Sequence, residues 1–163
     1  MMTEQEFLAF MEANGFRYRR VEHPPVFTCA EAELHRPELP AVSTKNLFLC
    51  DKKARRFFLV VTACEKTMRL DGLSSQLGVT HLRFGSEENL IRLLGVTRGA
   101  VTMMGLLNDT GQQVQLWIDA EIWNTDYFLS HPLVNTATLI LSKEALERFF
   151  ALTGHAVHLF RGV

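Results

Sequence analysis

A cation and a carboxamide stand side by side at Lys45-Asn46, directly before an apolar run, Leu47-Phe48-Leu49-Cys50. A basic turn (Lys52 to Arg56) and a second apolar run (Phe57 to Ala63) follow, so the pattern reads as a hairpin with Lys45 at its mouth. An ammonium held at a sheet end can stabilise negative charge developing on a carbonyl or phosphate oxygen, although most lysines are plain surface cations. In a second segment, Arg98-Gly99-Ala100-Val101-Thr102-Met103-Met104-Gly105, two glycines bracket a stretch that looks mobile. Gly99 and Gly105 would let backbone approach a ligand, with successive N–H groups holding an oxyanion; the alternative is a turn or close strand packing. The third segment is Ser130-His131-Pro132-Leu133-Val134-Asn135-Thr136. A residue before proline is biased toward extended geometry. His131 could donate a hydrogen bond, shuttle a proton or orient a water, or it could simply cap a loop.

Other chemistries find no support. Ser130 and His131 are adjacent, and in an extended segment they point opposite ways, so they make no nucleophile–base pair. No serine sits in a GxSxG elbow, and there is neither a P-loop nor a GxGxxG phosphate loop. A hydrolytic reaction here would therefore use water as its nucleophile. The three cysteines, Cys29, Cys50 and Cys64, are odd in number and form no CxxC pair. A disulfide framework or zinc site is not expected, and Cys50 and Cys64 read as small core hydrophobes. His155 and His158 fall on opposite faces of an expected strand, which argues against a metal site. Glu65 and Lys66 read as an exposed turn.

The elements that would position these residues are well punctuated. Thr3 with Glu6 makes a capping box, Phe7, Leu8, Phe10 and Met11 supply an apolar stripe, and Gly15 stops the first helix. A strand over Phe16 to Val21 ends at His23-Pro24-Pro25. Thr28 with Glu31 opens a short helix to about His35, and Pro37 and Pro40 mark the loop before Lys45. After the hairpin come a helix from Asp71 to Leu77 stopped by Gly78, and a strand from Val79 to Phe84. Ser86 then caps a helix through Leu94, with Glu87 and Glu88 at its positive end and Gly95 closing it. Asn108-Asp109-Thr110-Gly111 is a turn, and Val114 to Ile118 and Thr136 to Leu141 are strands. Ser142 caps the last long helix, stopped by Gly154, and His155 to Phe160 is a final strand.

Interleaved strands and helices with hairpin-length connections predict a mixed α/β (α+β) chain, residues 1–163 forming one domain with a twisted mixed sheet packed by helices. Hydrophobic residues at 47% and charged residues at 21% fit a soluble globular protein. No apolar stretch reaches the roughly 18 residues of a membrane span, and the acidic N-terminus is unlike a signal peptide, so a cytoplasmic location is expected. A net charge of −1 argues against gripping a long duplex by bulk electrostatics, though not against reading a nucleic-acid end. Arg17, Arg19 and Arg20 form one basic cluster and Lys52 to Arg56 another; each is a solvated face or a local patch.

Thr44-Lys45-Asn46-Leu47-Phe48-Leu49, Gly99-Ala100-Val101-Thr102 with Gly105-Leu106-Leu107-Asn108-Asp109, and His131-Pro132-Leu133-Val134-Asn135-Thr136, with Lys66 after the second hairpin strand, resemble the YbaK-like family over nearly the whole chain. This family holds the editing domains of prolyl-tRNA synthetases and their free-standing relatives. The chain is most similar to the free-standing deacylases that clear alanine from proline tRNA. The resemblance implies hydrolysis of the ester joining a mischarged amino acid to the terminal adenosine, with neither metal nor cofactor. It implies catalytic roles for Lys45, Gly99 and His131, and substrate contacts from Asn46, Ala100, Val101, Thr102, Met103 and Asn135. Arg19, Arg20 and Lys66 are candidate tRNA contacts, and prolyl-tRNA synthetase is a candidate partner. Met103-Met104 depart from the proline and aromatic common in relatives, which bears on pocket size and hence on the amino acid removed. A tRNA-end or nucleotide binding module without turnover, a deacylase for another mischarged amino acid, and a small-molecule hydrolase are the competing readings.

Overall fold

Thr3 accepts the Glu6 N–H while the Glu6 side chain returns to the Thr3 N–H, and this reciprocal cap starts helix α1 (Glu4–Ala13). The computed structural model describes residues 1–163. Strand β1 (Arg19–Glu22) and helix α2 (Cys29–Glu33, capped by Thr28) precede the hairpin β2 (Thr44–Asp51) and β3 (Phe57–Ala63). Helix α3 (Leu70–Leu77), strand β4 (Leu82–Phe84) and helix α4 (Glu87–Leu94) follow, then 3-10 turns at Arg98–Ala100 and Met103–Asn108. The chain ends with β5 (Val114–Asp119), α5 (Ala120–Trp123), β6 (Tyr127–Ser130), β7 (Ala137–Ser142), α6 (Lys143–Thr153) and β8 (Val157–Phe160). No helix is long and apolar enough to cross a membrane.

The fold is mixed α/β, with two sheets where one was expected. Five strands lie in the order β4-β2-β3-β5-β8, with β3–β5 and β5–β8 parallel and the rest antiparallel. Three more form β1-β7-β6, all antiparallel, and an isolated bridge joins Phe128 of β6 to Val42, in the segment just before β2. The larger sheet is buried on both faces, and alternation along β2 and β3 sorts their residues. Phe48, Cys50, Phe57, Leu59 and Val61 enter the main core with α1, α4 and α6. Leu49, Phe58 and Val60 pack the opposite side with Leu73 and Leu77 of α3.

Several expectations change. β1 starts at Arg19, because Phe16 is buried in the main core against Phe149. β8 starts at Val157, because His155 turns inward to hydrogen-bond Asp109. The segment from Gly99 to Gly105 is not mobile but packed, with Met103, Met104 and Leu106 in the core. A β-carbon at Gly105 would lie 2.9 Å from the Leu94 carbonyl oxygen, so glycine there serves close packing against α4.

Cys29 and Cys64 are joined in a disulfide with Cα atoms 5.8 Å apart, contrary to the reading of three unpaired thiols; Cys50 alone stays free and buried. The bond ties the first residue of α2 to the end of β3 across 35 positions. Closing a loop of that length stabilises the folded state by about 3–4 kcal/mol. Cys29→Ala is therefore expected to lower the urea midpoint in oxidising buffer and to match the wild type in dithiothreitol. Equal midpoints in both buffers would mean that the bond does not form in solution.

Candidate active site

One recess at the start of β2 gathers residues far apart in sequence. A cavity of about 150 Å³ is lined by Lys45, Asn46, Gly99, Val101 and His131, together with α2 and the Val26–Thr28 segment leading to it. A smaller recess of about 50 Å³ shares Thr44, Asn46 and His131 and adds Ser43 and Arg36. Neither is lined by an aspartate or a glutamate.

Lys45 and Asn46 leave β2 on opposite sides, since Asn46 continues the Phe48 row and Lys45 the Leu47 row. The Lys45 ammonium donates to the Lys66 carbonyl. Lys66 is itself anchored, its ammonium 2.7 Å from Asp119 and 3.3 Å from Glu121. Asp119 is fully buried and also accepts from Thr62 at 2.8 Å and from the Glu121 N–H at 3.0 Å. Burial alone would raise the Asp119 pKa, but the Lys66, Glu121 and Thr62 hydrogen bonds outweigh it and hold the carboxylate below its ordinary range. Lys66 is thus a buttress engaged by two acids rather than the free cation expected in an exposed turn.

His131 is set by two hydrogen bonds. Its Nδ1 lies 3.0 Å from the Ala137 carbonyl, which can only accept, so Nδ1 carries the proton and Nε2 keeps its lone pair. Burial pushes its pKa down, the Ala137 carbonyl opposes this, and the charge of His23 adds to the lowering, so the ring is neutral near pH 7. The backbone of His131 is pinned by the Thr102 hydroxyl, which donates to its carbonyl at 2.7 Å. Ser130 shares a hydrogen bond with the same hydroxyl at 3.1 Å. Leu133, with φ at 70°, holds the loop in the left-handed region that a branched side chain rarely adopts.

In the glycine segment, the N–H groups of Val101 and Thr102 donate to no group of the protein, whereas that of Ala100 is taken by the Thr97 carbonyl at 3.0 Å. A β-carbon on Gly99 would crowd the Phe27 ring at 3.2 Å. Asn135 donates to the Val26 carbonyl at 3.1 Å and accepts from the Val26 N–H at 3.2 Å, fixing this wall from behind.

Not every expected residue reaches the cavity. Ala100 and Met103 are buried in the main core, and Thr102, fully buried, acts by holding His131 rather than by meeting a ligand. Met103 and Met104 therefore line neither recess. Arg20 is paired with Glu4 at 2.9 Å, and neither it nor Arg19 lines the recess. Two cations that do were missed. Arg98 is 72% exposed along its side chain and borders the main cavity, and Arg36, on the smaller recess, is anchored to Ser43 at 2.8 Å and to the carbonyls of Leu39 and Ala41. Adjacency to Gly99 could have pointed to Arg98; Arg36 leaves no local signal.

The geometry offers a cation, unpaired N–H donors, a neutral imidazole and, while Cys29 and Cys64 are joined, no free nucleophile, which is the equipment for adding water to a carbonyl. The model of the aminoacyl-tRNA editing domain family matches residues 23–149. The prolyl-tRNA editing protein ProX of Acetoanaerobium sticklandii is 35% identical over 155 residues, covering 95% of this chain and 94% of that protein. Prolyl-tRNA synthetase associated domain-containing protein 1 of Danio rerio is 37% identical over 153 residues, covering 93% of this chain and 83% of its own length. A solved structure described as that of a candidate trans-editing enzyme for prolyl-tRNA synthetase shares the fold, with a TM-score of 0.73 at 18% identity, covering 100% of this chain and 99% of that one. On its residues, its fold and these relatives, the chain belongs to the aminoacyl-tRNA editing domain family.

Proposed function

We propose that the protein is a trans-editing aminoacyl-tRNA deacylase that hydrolyses the ester of mischarged tRNA, with Ala-tRNA(Pro) as its main substrate. The observation that carries this reading is the meeting of Lys45, Val101 and His131 around one small cavity, each with hydrogen-bonding capacity left over. Water adds to the ester carbonyl as His131 Nε2 accepts its proton. The Val101 N–H holds the oxyanion, and the bond to the ribose oxygen then breaks as the proton on His131 passes to that oxygen, releasing alanine and tRNA. The substrate's own 2′-hydroxyl is placed to help hold the water. An ammonium has three donors, and the Lys66 carbonyl takes one, leaving two for the acylated end of the terminal adenosine, where Lys45 also stabilises the charge that develops on the carbonyl.

Selection follows from size. A synthetase site built for proline cannot strongly reject alanine, because a missing methylene is worth only about 1–3 kcal/mol. A second, smaller site can hydrolyse what the first lets through. Met103 and Met104, which had favoured a binding module without turnover, are 1% and 0% exposed in the core, so that reading loses its support. The partner is the 3′ acceptor end of tRNA, with prolyl-tRNA synthetase as the source of the mischarged product. Residues 1–163 act as one domain, in the cytoplasm, where thiol buffers keep most cysteine pairs reduced and the Cys29–Cys64 bond is expected to open.

A panel tests the reading. Ala-, Ser- and Cys-charged proline tRNA and the free aminoacyl esters are incubated with the protein. Fast release of alanine from tRNA, with free esters slow, is expected. Hydrolysis of free esters at equal rates would point to a small-molecule hydrolase, and no hydrolysis at all to a binding module.

A further inference from the structure

Asn46 carries an unmet demand. Its carboxamide oxygen is shielded from solvent and has no hydrogen-bond partner, the one buried side-chain nitrogen or oxygen in the chain left in that state. A native protein rarely leaves such an acceptor empty: water, an ion or a ligand meets it. The side chain stands at the junction of three hollows: the main cavity, the smaller recess, and an outer cleft of about 600 Å³ bordered by Arg98 and Phe84.

What the oxygen would accept follows from its surroundings. The cavity is rich in donors, from Lys45, Arg98 and the Val101 N–H, and has no carboxylate. Thr28, also on its wall, already uses its hydroxyl to accept from the Glu31 N–H and to donate to the Glu31 carboxylate. An aminoacyl ester presents a carbonyl that suits those donors and an α-ammonium that can only donate. Resting on the deacylase reading, we infer that Asn46 Oδ1 accepts a hydrogen bond from the α-ammonium of the bound aminoacyl group. Asn46 is then the residue that reads a free amino group. It discriminates against hydroxyacyl and N-acylated tRNAs, a selection separate from the exclusion of proline by size.

The test compares alanyl-tRNA(Pro) with lactyl-tRNA(Pro), which replaces the ammonium by a hydroxyl of similar size. Both are incubated with the wild type, Asn46→Ala and Asn46→Asp, and each rate is divided by the uncatalysed rate of the same ester. The wild type is expected to favour the alanyl ester by on the order of 10- to 100-fold, the range of a hydrogen bond to a charged group. Asn46→Ala collapses that ratio toward one, whereas Asn46→Asp, which keeps an acceptor in either orientation of the side chain, preserves it. An indifferent wild type, or an Asn46→Ala variant that slows both esters alike and keeps their ratio, would overturn the assignment while leaving the deacylase standing. A wild type inert toward both esters would remove the enzyme reading, and this role with it.

Discussion

Lys45→Ala is expected to slow Ala-tRNA(Pro) deacylation by roughly 100- to 1,000-fold, the loss that follows removal of one preorganised donor to developing charge. The preorganisation is visible around the side chain. Its ammonium bonds the carbonyl of Lys66, whose own ammonium is fixed by Asp119, itself buried and held by Thr62. The cation therefore sits on a rigid support and needs little reorganisation as charge builds. Lys45→Arg should not restore the rate, because a planar guanidinium on a longer stem cannot occupy the place of a compact ammonium. The fold should survive, since Lys45 is only half-buried and the one carbonyl it leaves can be hydrated. Single-turnover deacylation with circular dichroism on the same samples decides the matter. A folded variant of near-normal rate would remove Lys45 from the mechanism.

Asp109→Ala is expected to cost about 3–5 kcal/mol of stability, because it leaves three buried or part-buried donors without their acceptor. Asp109 is 2% exposed and accepts from His155 Nε2 at 2.8 Å, from the Gln113 N–H at 3.0 Å and from the Val114 N–H at 2.8 Å. It joins the end of the second 3-10 turn to the start of β5 and to the loop between α6 and β8. Burial acting alone would raise its pKa, but the His155 hydrogen bond and the two N–H groups outweigh it, and the folded value lies below the ordinary one. A carboxylate with a depressed folded pKa adds stability that is complete above its unfolded pKa and is lost as pH falls through the folded value. Asp119 is shifted the same way, so acid unfolding should set in below about pH 4, and Asp109→Ala should flatten that limb. Urea midpoints from pH 7 to pH 2.5 check both statements. A variant within about 1 kcal/mol of the wild type at pH 7 would contradict the first, and an unchanged acid limb the second.

Local signals written into neighbouring residues were legible in the chain. The capping pairs at Thr3 and Ser86, the stops at Gly95 and Gly154 and the hairpin behind Lys45 each depend on a few adjacent positions, and the structure keeps them. β6 was missed because four residues, Tyr127–Ser130, are too short for alternation to register, and without it the second sheet could not be foreseen. The Cys29–Cys64 bond was missed because its partners are brought together only by tertiary folding. At the site, Lys45, Asn46, Gly99, Val101 and His131 were identified and all line one cavity. Ala100, Thr102 and Met103 were assigned with their neighbours, but a 3-10 path turns Ala100 and Met103 into the core and makes Thr102 a strut. A motif marks a stretch of chain; only the backbone path decides which of its side chains face the ligand.

The claim that this cavity admits undersized acyl groups and hydrolyses them is tested most directly by timing the wild type on Ala-tRNA(Pro) and Pro-tRNA(Pro) side by side. Rapid loss of the alanyl ester, with the prolyl ester decaying at its spontaneous rate, is the expected result. Comparable hydrolysis of both would contradict the account.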